Sequence, residues 1–453
     1  MKYVSTRDLS HTEISSAQAI IQGLAPDGGL YVPVGFPKYN NYLDKSFDEI
    51  AFDVLRLYFT DFSEQELKEC IQLAYSENQP AKLNNEVLEL FHGRTASFKD
   101  VALQLFPHLL SKALQKCGEK REAVVVVATS GDTGSAALAG IADVPGLRGI
   151  CFYPKQGVSP VQELQMVTQE GNNIHVFGIK GNFDDAQQGV KEFFGDMVFR
   201  QKFEEKFIFT SANSINLARL IPQIVHYFYA YSQLVGLKKI KDGDKVDFTI
   251  PSANFGNAAA AYYAKQMGLP VNKLIIATNS NNILDDFFQS GVFDKKRAFN
   301  VTMSPAMDIL VSSNLERLIH AIYGCEVVNE CYSSLNQSDK FEVDVTKLES
   351  FTSGWASETE TLETIKRVYE RSGYLLDPHT AVGECIREKY KTKNINILIS
   401  TASPYKFPET VTQALDENAL NNPPQGLKSL ENKPILHSKV IDNIKKTIED
   451  ILI

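Results

Sequence analysis

A lysine that could carry covalent chemistry stands in the segment FHGRTASFKD, residues 91 to 100. Lys99 follows Phe98 and precedes Asp100. A lysine amine is a nucleophile only when part of it is unprotonated near neutral pH, which requires burial or a cationic neighbour. Phe98 can supply an apolar wall, whereas a lysine that is solvated or paired with Asp100 would have no such role. Lys99 is therefore a candidate for Schiff-base formation with a carbonyl compound.

Further polar segments follow apolar runs that predict strands. In parallel sheets, ligands bind where the carboxyl ends of strands meet helix N-termini, because free backbone N–H groups favour anions there. The segments are TSGDTGS (129–135), TSANSINLAR (210–219), PSANFGN (251–257) and ISTASPYKFPE (399–409). PSANFGN matches neither GxGxxG nor GxxxxGK[ST], so a dinucleotide or a nucleoside triphosphate is not indicated.

Each of these segments also has an ordinary structural interpretation. Gly131 could make a tight turn before a helix capped by Asp132. Asn213 or Ser214 could cap a helix whose Arg219 is solvated, and the segment after residue 399 could be a simple loop. Taken together, however, a reactive lysine and several anion-binding turns without a nucleotide motif suit pyridoxal phosphate, an aldehyde that carries a phosphate.

The elements that must position these residues indicate an α/β fold. Short apolar runs alternate with amphipathic stretches, as in parallel strands joined by crossover helices. The strand candidates are residues 123–130, 148–154, 173–179, 245–251, 273–279 and 395–401, with a helical pattern over 214–234. We predict a mainly helical N-terminal region (1–95), a smaller α/β domain with the lysine (96–205), and a larger cofactor domain (206–453) with an insertion near 281–345.

Composition excludes some classes of protein. The 453 residues carry 46 basic and 55 acidic side chains, so a net charge of −9 gives no general attraction to nucleic acid or anionic membranes. The six cysteines are scattered without a CxxC pair, which favours reduced thiols and no structural zinc or other metal site. The first residues lack a signal-peptide core, and no stretch has the length of a membrane span. We expect a cytoplasmic protein.

The motifs resemble those of the threonine synthase family, which are fold type II pyridoxal-phosphate enzymes similar to the tryptophan synthase β subunit. HGRTASFKD is similar to the HGPTxAFKD segment that carries the family's Schiff-base lysine. The other matching segments are QGLAPDGGLYVP, ATSGDTGSAA, YPKQGVSPVQ, NSINLARLIPQ, NFGN, SPAMDILVSSNLERL, LLDPHTAVG and STASPYKFPE. They occur in the family's order across nearly the whole chain, and the combination is highly specific.

The resemblance implies a role for each matched residue. Lys99 corresponds to the Schiff-base lysine, and Asp132 would lie near the hydroxyl of the cofactor ring. Thr401 would face the pyridine nitrogen. The cofactor phosphate would bind the loop Asn254, Phe255, Gly256 and Asn257. The substrate carboxylate would bind Ser130 and Thr133, and the substrate phosphate would bind Asn213, Ser214 and Arg219.

The reaction that the resemblance implies is the conversion of O-phospho-L-homoserine and water into L-threonine and phosphate. We expect a monomer or a homodimer. Some positions depart from the family pattern. Arg94 replaces a proline, Ala253 replaces a glycine and Ser403 replaces a histidine, while Ala96 and Ser97 replace leucine and alanine. Two alternatives therefore stay open: a related phospho-lyase that releases 2-oxobutyrate, and a non-catalytic paralogue. Arg94 could point into the site or be solvated.

Overall fold

The computed structural model describes residues 1–453, apart from the side chain of Asp184. Its strands follow one another along the chain as β1 (Tyr3–Ser5), β2 (Tyr31–Pro33), β3 (Lys82–Asn84), β4 (Val87–Glu89), β5 (Glu122–Ala128), β6 (Leu147–Pro154), β7 (Ile174–Ile179), β8 (Phe207–Ser211), β9 (Val246–Pro251), β10 (Val271–Thr278), β11 (Val292–Asp294), β12 (Lys340–Glu342), β13 (Phe351–Trp355), β14 (Asn396–Ser400) and β15 (Val440–Ile441). Each strand candidate from the sequence is a strand, with bounds shifted by one or two residues.

Helices lie between most of these strands. They are α1 (Ser16–Gln22), α2 (Phe47–Tyr58), α3 (Glu64–Tyr75), α4 (Asp100–Leu103), α5 (Phe106–Lys116), α6 (Asp132–Ile141), α7 (Pro160–Val167), α8 (Phe183–Gly195), α9 (Met197–Gln201), α10 (Leu217–Leu220), α11 (Ile224–Gly236), α12 (Gly256–Met267), α13 (Ile283–Ser290), α14 (Leu315–Tyr323), α15 (Cys325–Ser338), α16 (Glu358–Ser372), α17 (Pro378–Lys389), α18 (Pro408–Ala414), α19 (Gln425–Lys428) and α20 (Ile444–Leu452). Short 3-10 helices cover 221–223, 305–307, 345–348, 404–406, 417–420 and 429–432. None of the described helices is long and apolar enough to cross a membrane.

The larger sheet has the strand order β13-β10-β9-β14-β4-β3. All its neighbouring pairs are parallel except β3 with β4, which form an antiparallel edge. Each residue of β9 is buried, as expected for a central strand with helices on both faces. The loops that follow β9, β14 and β4 consequently meet at one edge of this sheet.

The smaller sheet is parallel throughout, in the order β15-β7-β6-β5-β8. Its central strand β5 has the sequence EAVVVVA and is buried after its first residue. Alternate valines of β5 face two different apolar clusters, because successive side chains of a strand point to opposite faces. The loop after β5 carries the TSGDTGS motif to the edge of this sheet.

The two sheets do not divide the chain where the sequence predicted a boundary, between residues 205 and 206. β8 pairs with β5, and β15 pairs with β7, so residues 207–211 and the C-terminal segment belong with the smaller sheet. At the other end, β3 and β4 fall within the predicted N-terminal region but join the larger sheet. Strand pairing between residues distant in the chain leaves no local signal, which explains the difference.

The N-terminal region, predicted as mainly helical, contains the three helices α1 to α3 and one short antiparallel pair of β1 and β2. α2 and α3 each begin at a capping box, made by Ser46 with Glu49 and by Ser63 with Glu66. The predicted helix over 214–234 is interrupted, since Pro222 lies in a 3-10 turn between α10 and α11.

Candidate active site

The loop that carries Lys99 is shaped by the neighbouring Asp100. This buried carboxylate accepts hydrogen bonds from the Thr95 backbone N–H (2.8 Å) and the Thr95 hydroxyl (2.7 Å). Gly93 passes so close that a Cβ there would lie 2.5 Å from the Cβ of Asp100. Ala96 adopts a left-handed φ of 57°, which is strained for a residue with a side chain. Asp100 therefore fixes the loop and is not the ion-pair partner of Lys99.

The Lys99 amine instead points into the interior. Its side chain is 11% exposed, and Nζ donates to Asp132 Oδ2 at 3.3 Å. Burial lowers the pKa of Lys99 from its ordinary value, Asp132 opposes the shift, and the charges of Lys406 and Arg219 lower the pKa further. The alternative of a solvated lysine, or one paired with Asp100, is wrong. A lowered pKa favours the unprotonated amine that a nucleophilic lysine needs.

Asp132 lies in the first turn of α6 and does not cap it. Gly131 is the N-cap residue, with a φ of 132°, and a Cβ on it would lie 2.4 Å from Cδ of Gln162. Asp132 Oδ1 accepts hydrogen bonds from Gln162 Nε2 (2.8 Å) and Lys406 Nζ (2.7 Å). Burial would raise the pKa of this carboxyl, but Lys406 and Lys99 hold the pKa well below its usual range. Half-buried Ser130 and Thr133 flank it.

The loop after β9 leads into a helix N-terminus and carries two buried polar groups without partners among the described residues. Phe255 has a left-handed φ of 62°, and α12 begins directly afterwards with its free N–H groups. The Ser252 hydroxyl and the Asn257 side-chain amide nitrogen are buried without a hydrogen-bond partner among the described residues. His226 and Tyr227 hold Asn257 Oδ1 at 3.0 and 2.7 Å, which orients that nitrogen. Two orphaned groups beside a helix N-terminus fit a phosphate.

The departure at residue 253 causes no backbone strain, because Ala253 does not have a positive φ. The left-handed position in this loop is Phe255 instead. The carbonyl of Asn254 accepts hydrogen bonds from the backbone N–H and the side-chain amide of Asn314, both at 3.0 Å. The loop is thus held from outside by the segment before α14.

Arg219 is buried in α10, and Asn213 and Ser214 are half-buried in the loop between β8 and this helix. Neither of these two caps α10; the cap is Asn216, whose side chain accepts from the Ala218 N–H. Nη1 of Arg219 donates to the Ala212 carbonyl, while Nε is buried without a partner among the described residues. Burial lowers the pKa of Arg219 to about 10, so it is still a cation at neutral pH. The interpretation of Arg219 as a solvated side chain is wrong.

Arg219 is a cation of this site without a carboxylate partner among the described residues. Lys406 pairs with Asp132, whose second oxygen lies 3.3 Å from the Lys99 amine, and Asp100 is a further buried carboxylate that faces Lys406. Buried charges are costly unless they are paired. The unpaired guanidinium therefore favours an anionic ligand, as a phosphorylated substrate would be.

Comparison with known proteins gives the family of the chain. Residues 2–75 match the family model described as threonine synthase N terminus, residues 87–391 match the model of pyridoxal-phosphate dependent enzymes, and residues 380–451 match the threonine synthase C-terminal model. Threonine synthase from Saccharomyces cerevisiae is 41% identical over 91% of this chain and 89% of its own length. The enzyme from Pseudomonas aeruginosa is 39% identical over 91% and 90%. The chain belongs to the threonine synthase family.

Solved structures of threonine synthases are also similar to this chain. A pyridoxal-phosphate-bound threonine synthase from Brucella melitensis covers 100% of this chain and 98% of its own, with a TM-score of 0.91 and 36% identity. The yeast enzyme has the same coverage and TM-score, with 37% identity. The predicted fold type II architecture, the pyridoxal phosphate cofactor and the activity of a threonine synthase, a lyase of amino-acid biosynthesis with a small-molecule substrate, are confirmed.

Thr401, the predicted neighbour of the cofactor ring, lies directly after β14 and is buried. Its backbone N–H donates to the Thr380 hydroxyl (3.1 Å), and its carbonyl accepts from the Phe98 N–H (2.7 Å). Ser403, which replaces the family's histidine, donates its N–H to the Ala96 carbonyl at 3.0 Å. The segment after β14 is thereby joined to the lysine loop.

Arg94, which replaces the family's proline, lies on the surface of the protein. Its side chain is 36% exposed, and Nη2 lies 3.3 Å from Oε2 of the exposed Glu77. Lys99 faces Asp132, Lys406 and Arg219 instead. The interpretation of Arg94 as a side chain outside the site is therefore the one the structure favours.

Sequence reasoning missed several residues around the site. Lys406 lies within STASPYKFPE. The sequence feature that could have indicated a buried lysine is the aromatic residue on each side of it, much as Phe98 precedes Lys99. Arg317 is fully buried and donates to the carbonyls of Tyr31 (3.1 Å) and Ile215 (2.6 Å), and to the side chain of Asn314. Asn314 in turn donates to the Ser214 hydroxyl at 3.2 Å. Arg317 and Asn314 thus connect the loop after β8 with the loop after β9, and only spatial contacts reveal this connection.

Proposed function

We propose that this chain converts O-phospho-L-homoserine and water into L-threonine and inorganic phosphate, with Lys99 as the lysine that binds the cofactor and moves protons. The observation that carries this assignment is the burial of the Lys99 amine beside Asp132, within reach of the charges of Lys406 and Arg219. A lysine in such a setting can act as a nucleophile and as a base near neutral pH.

Pyridoxal phosphate supplies an aldehyde that links to amines and a ring that accepts electrons from the substrate Cα and Cβ. The chain has groups that suit each part of it. Lys99 would hold the aldehyde carbon, and Asp132 would lie beside the ring hydroxyl. Thr401 would face the ring nitrogen, where a hydroxyl keeps the nitrogen largely unprotonated. The phosphate would be held by Asn254, Phe255, Gly256 and Asn257, with the free N–H groups of α12 and the orphaned Ser252 hydroxyl.

The proton transfers are assigned to Lys99 Nζ. Its lowered pKa favours the free amine, which accepts a proton from Cα, releases that proton, and then accepts a second proton from Cβ of the substrate. Phosphate then leaves Cγ, a proton returns there, and water adds its oxygen to Cβ and a proton to Cα. The atoms of substrate and water thus balance those of threonine and phosphate.

Recognition of the substrate uses both loops after β5 and β8. Ser130 and Thr133 flank the first turn of α6 and would bind the carboxylate of the substrate. Arg219, with its unpartnered Nε, and the half-buried Asn213 and Ser214 would bind the substrate phosphate. A buried guanidinium suits a phosphate because its planar donors match two of the oxygens.

The protein is also proposed to act in the cytoplasm, as a monomer or a homodimer. The cysteines support a reducing compartment, since all six are free and most are buried. Light scattering of the purified protein would give its mass in solution. A mass above that of two chains would contradict the proposed assembly.

Product analysis tests the reaction directly. Purified protein is mixed with O-phospho-L-homoserine, and threonine, 2-oxobutyrate and phosphate are quantified. We expect threonine and phosphate in equal amounts, and neither from Lys99→Ala. Release of 2-oxobutyrate in place of threonine would identify a phospho-lyase, and an inert wild-type protein that takes up pyridoxal phosphate would identify a non-catalytic paralogue.

A further inference from the structure

A second buried lysine lies beside the pair of Lys99 and Asp132. Lys406 ends the 3-10 helix 404–406 after β14, and its side chain is 0% exposed. Its Nζ donates to Asp132 Oδ1 at 2.7 Å and to the carbonyl of Thr95 at 2.7 Å. One ammonium group therefore connects the segment after β14, the first turn of α6 and the loop that carries Lys99.

We propose that Lys406 is a positioning residue, which takes the closer share of the Asp132 carboxylate and thereby keeps the Lys99 amine available as a free base. The inference rests on the proposed role of Lys99. Lys406 does not need to contact the reacting atoms to have this role.

The contacts of Asp132 show how the carboxylate is divided. Lys406 approaches Oδ1 at 2.7 Å, whereas Lys99 is 3.3 Å from Oδ2. Gln162 adds a second hydrogen bond to Oδ1, at 2.8 Å. Two lysine side chains thus share one carboxylate, and the shorter contact belongs to Lys406. Lys99 consequently lacks the exclusive partner that would fix it in its protonated form.

The charges around Lys99 predict the direction in which its pKa changes when Lys406 is neutralised. The charged groups that face Lys99 are Asp132, Lys406 and Arg219, and those that face Lys406 include Asp132 and Asp100. Neutralising Lys406 removes a repulsive charge from Lys99 and leaves Asp132 to Lys99 alone. Each change favours the protonated amine, so both raise the pKa of Lys99. The direction does not depend on which of the two is larger.

The local structure is able to tolerate the loss of this ammonium group. The Thr95 carbonyl also accepts a hydrogen bond from Gln165 Nε2 at 2.9 Å, and Asp132 Oδ1 keeps its bond from Gln162. Each acceptor of Lys406 therefore retains a donor when Lys406 is replaced by the unbranched, apolar methionine. The variant Lys406→Met should fold, because a lost partner is costly mainly when a buried group is left unsatisfied.

The experiment measures the protonation of Lys99 itself. Full-length protein stripped of cofactor is labelled with trace acetic anhydride between pH 6 and 11, and acetylation of the Lys99 peptide is quantified by mass spectrometry. In Lys406→Met the midpoint of labelling should move upward by about one pH unit or more. Lys406→Arg keeps the charge and should stay close to wild type. Lys265→Met removes another partly buried lysine, which donates to the Asn272 carbonyl, and should leave the midpoint unchanged.

An unchanged midpoint in folded Lys406→Met would overturn the proposal, and so would an equal shift in Lys406→Arg. If Lys406→Met does not melt cooperatively, Lys406→Gln takes its place, since its amide can still donate to the Thr95 carbonyl. Failure of both neutral variants to fold would show that Lys406 is structural, which also overturns the proposal. Borohydride fixation of pyridoxal phosphate separates this result from the proposed function: a label on a lysine other than Lys99 refutes the function, whereas a label on Lys99 with no midpoint shift refutes only the role of Lys406.

Discussion

Arg219 and Arg94 both lie in segments that resemble family motifs, yet their surroundings differ. Arg219 is buried with an unpartnered Nε, and Arg94 extends along the surface toward Glu77. A buried guanidinium that lacks a carboxylate is stabilised by an anionic ligand, whereas an exposed ion pair contributes little. The same residue type therefore supports opposite predictions at the two positions.

Arg219→Lys should weaken the reaction without affecting cofactor uptake. Lysine cannot offer two parallel donors to a phosphate, and the loss of one charge-assisted hydrogen bond costs about 2 kcal/mol. We expect kcat/KM for O-phospho-L-homoserine to fall about thirtyfold in steady-state assays. Arg121→Lys, which changes an arginine paired with Glu119 outside the site, is the matched control and should leave kcat/KM unchanged. A variant that loses pyridoxal phosphate but keeps its kinetics after reconstitution would place Arg219 in the cofactor site.

Arg94→Ala should leave both activity and substrate affinity unchanged. The ion pair with Glu77 is exposed, so its loss should change the free energy of unfolding by about 0.5 kcal/mol or less. Steady-state kinetics and urea denaturation measure the two effects. A steep rise in KM for O-phospho-L-homoserine, with the fold intact, would contradict this and place Arg94 at the substrate.

Close packing contacts hold the loop that carries Lys99, residues 91–100, in one conformation. Gly93 lies against Asp100, Asp100 binds Thr95, and the backbone of the loop is joined to the segment after β14. Strain at Ala96 is tolerated because these contacts fix the backbone on both sides. The position of Lys99 thus depends on the whole loop.

Gly93→Ala should destabilise the protein and loosen the lysine. The new Cβ would lie 2.5 Å from that of Asp100, and such overpacking costs about 1 to 3 kcal/mol. Urea denaturation should show this loss, and cofactor uptake should weaken. Gly236→Ala is the control: it lies in α11 with open space around it, so alanine should be neutral or stabilise the helix by up to about 1 kcal/mol. Equal stabilities of the two variants would refute the argument from close approach.

The C-terminal segment of the chain packs on the smaller sheet. β15 extends that sheet beside β7. The apolar residues of α20 pack against one face of the same sheet. Ile444, Ile448 and Leu452 join a cluster that includes Val124 and Val126 of β5. The domain that presents Asp132 therefore depends on residues at the far end of the chain.

Ile448→Ala should destabilise the smaller domain. Ile448 is 0% exposed, and truncating a buried isoleucine to alanine costs about 2 to 5 kcal/mol. Hydrogen exchange should show reduced protection of β5 to β7, with α12 less affected. Ile453→Ala, at a side chain that is 89% exposed, should change stability by less than about 0.5 kcal/mol. Loss of protection spread evenly over both sheets would contradict this division of the molecule.

Sequence patterns alone predicted six of the strands, β5, β6, β7, β9, β10 and β14, and the resemblance to known motifs predicted the family, the cofactor and the reaction class. The apolar run in β5 and the capping boxes of α2 and α3 are local signals, because burial and helix capping act on residues close in the chain. The FKD and SGDTGS motifs likewise carried the assignment of Lys99 and Asp132 as candidates.

Which side chains and strands lie next to one another depends on the tertiary structure. β8 and β15 joined the smaller sheet through pairings with strands distant in the sequence, and Lys406 reached Asp132 from more than 250 residues away. Asp100, the neighbour of Lys99 in sequence, binds Thr95, while the partner of Lys99 comes from another element. Such contacts depend on where buried elements pack, and the pKa of Lys99 depends on the charges this packing brings together. Residue spacing along one chain does not contain that information.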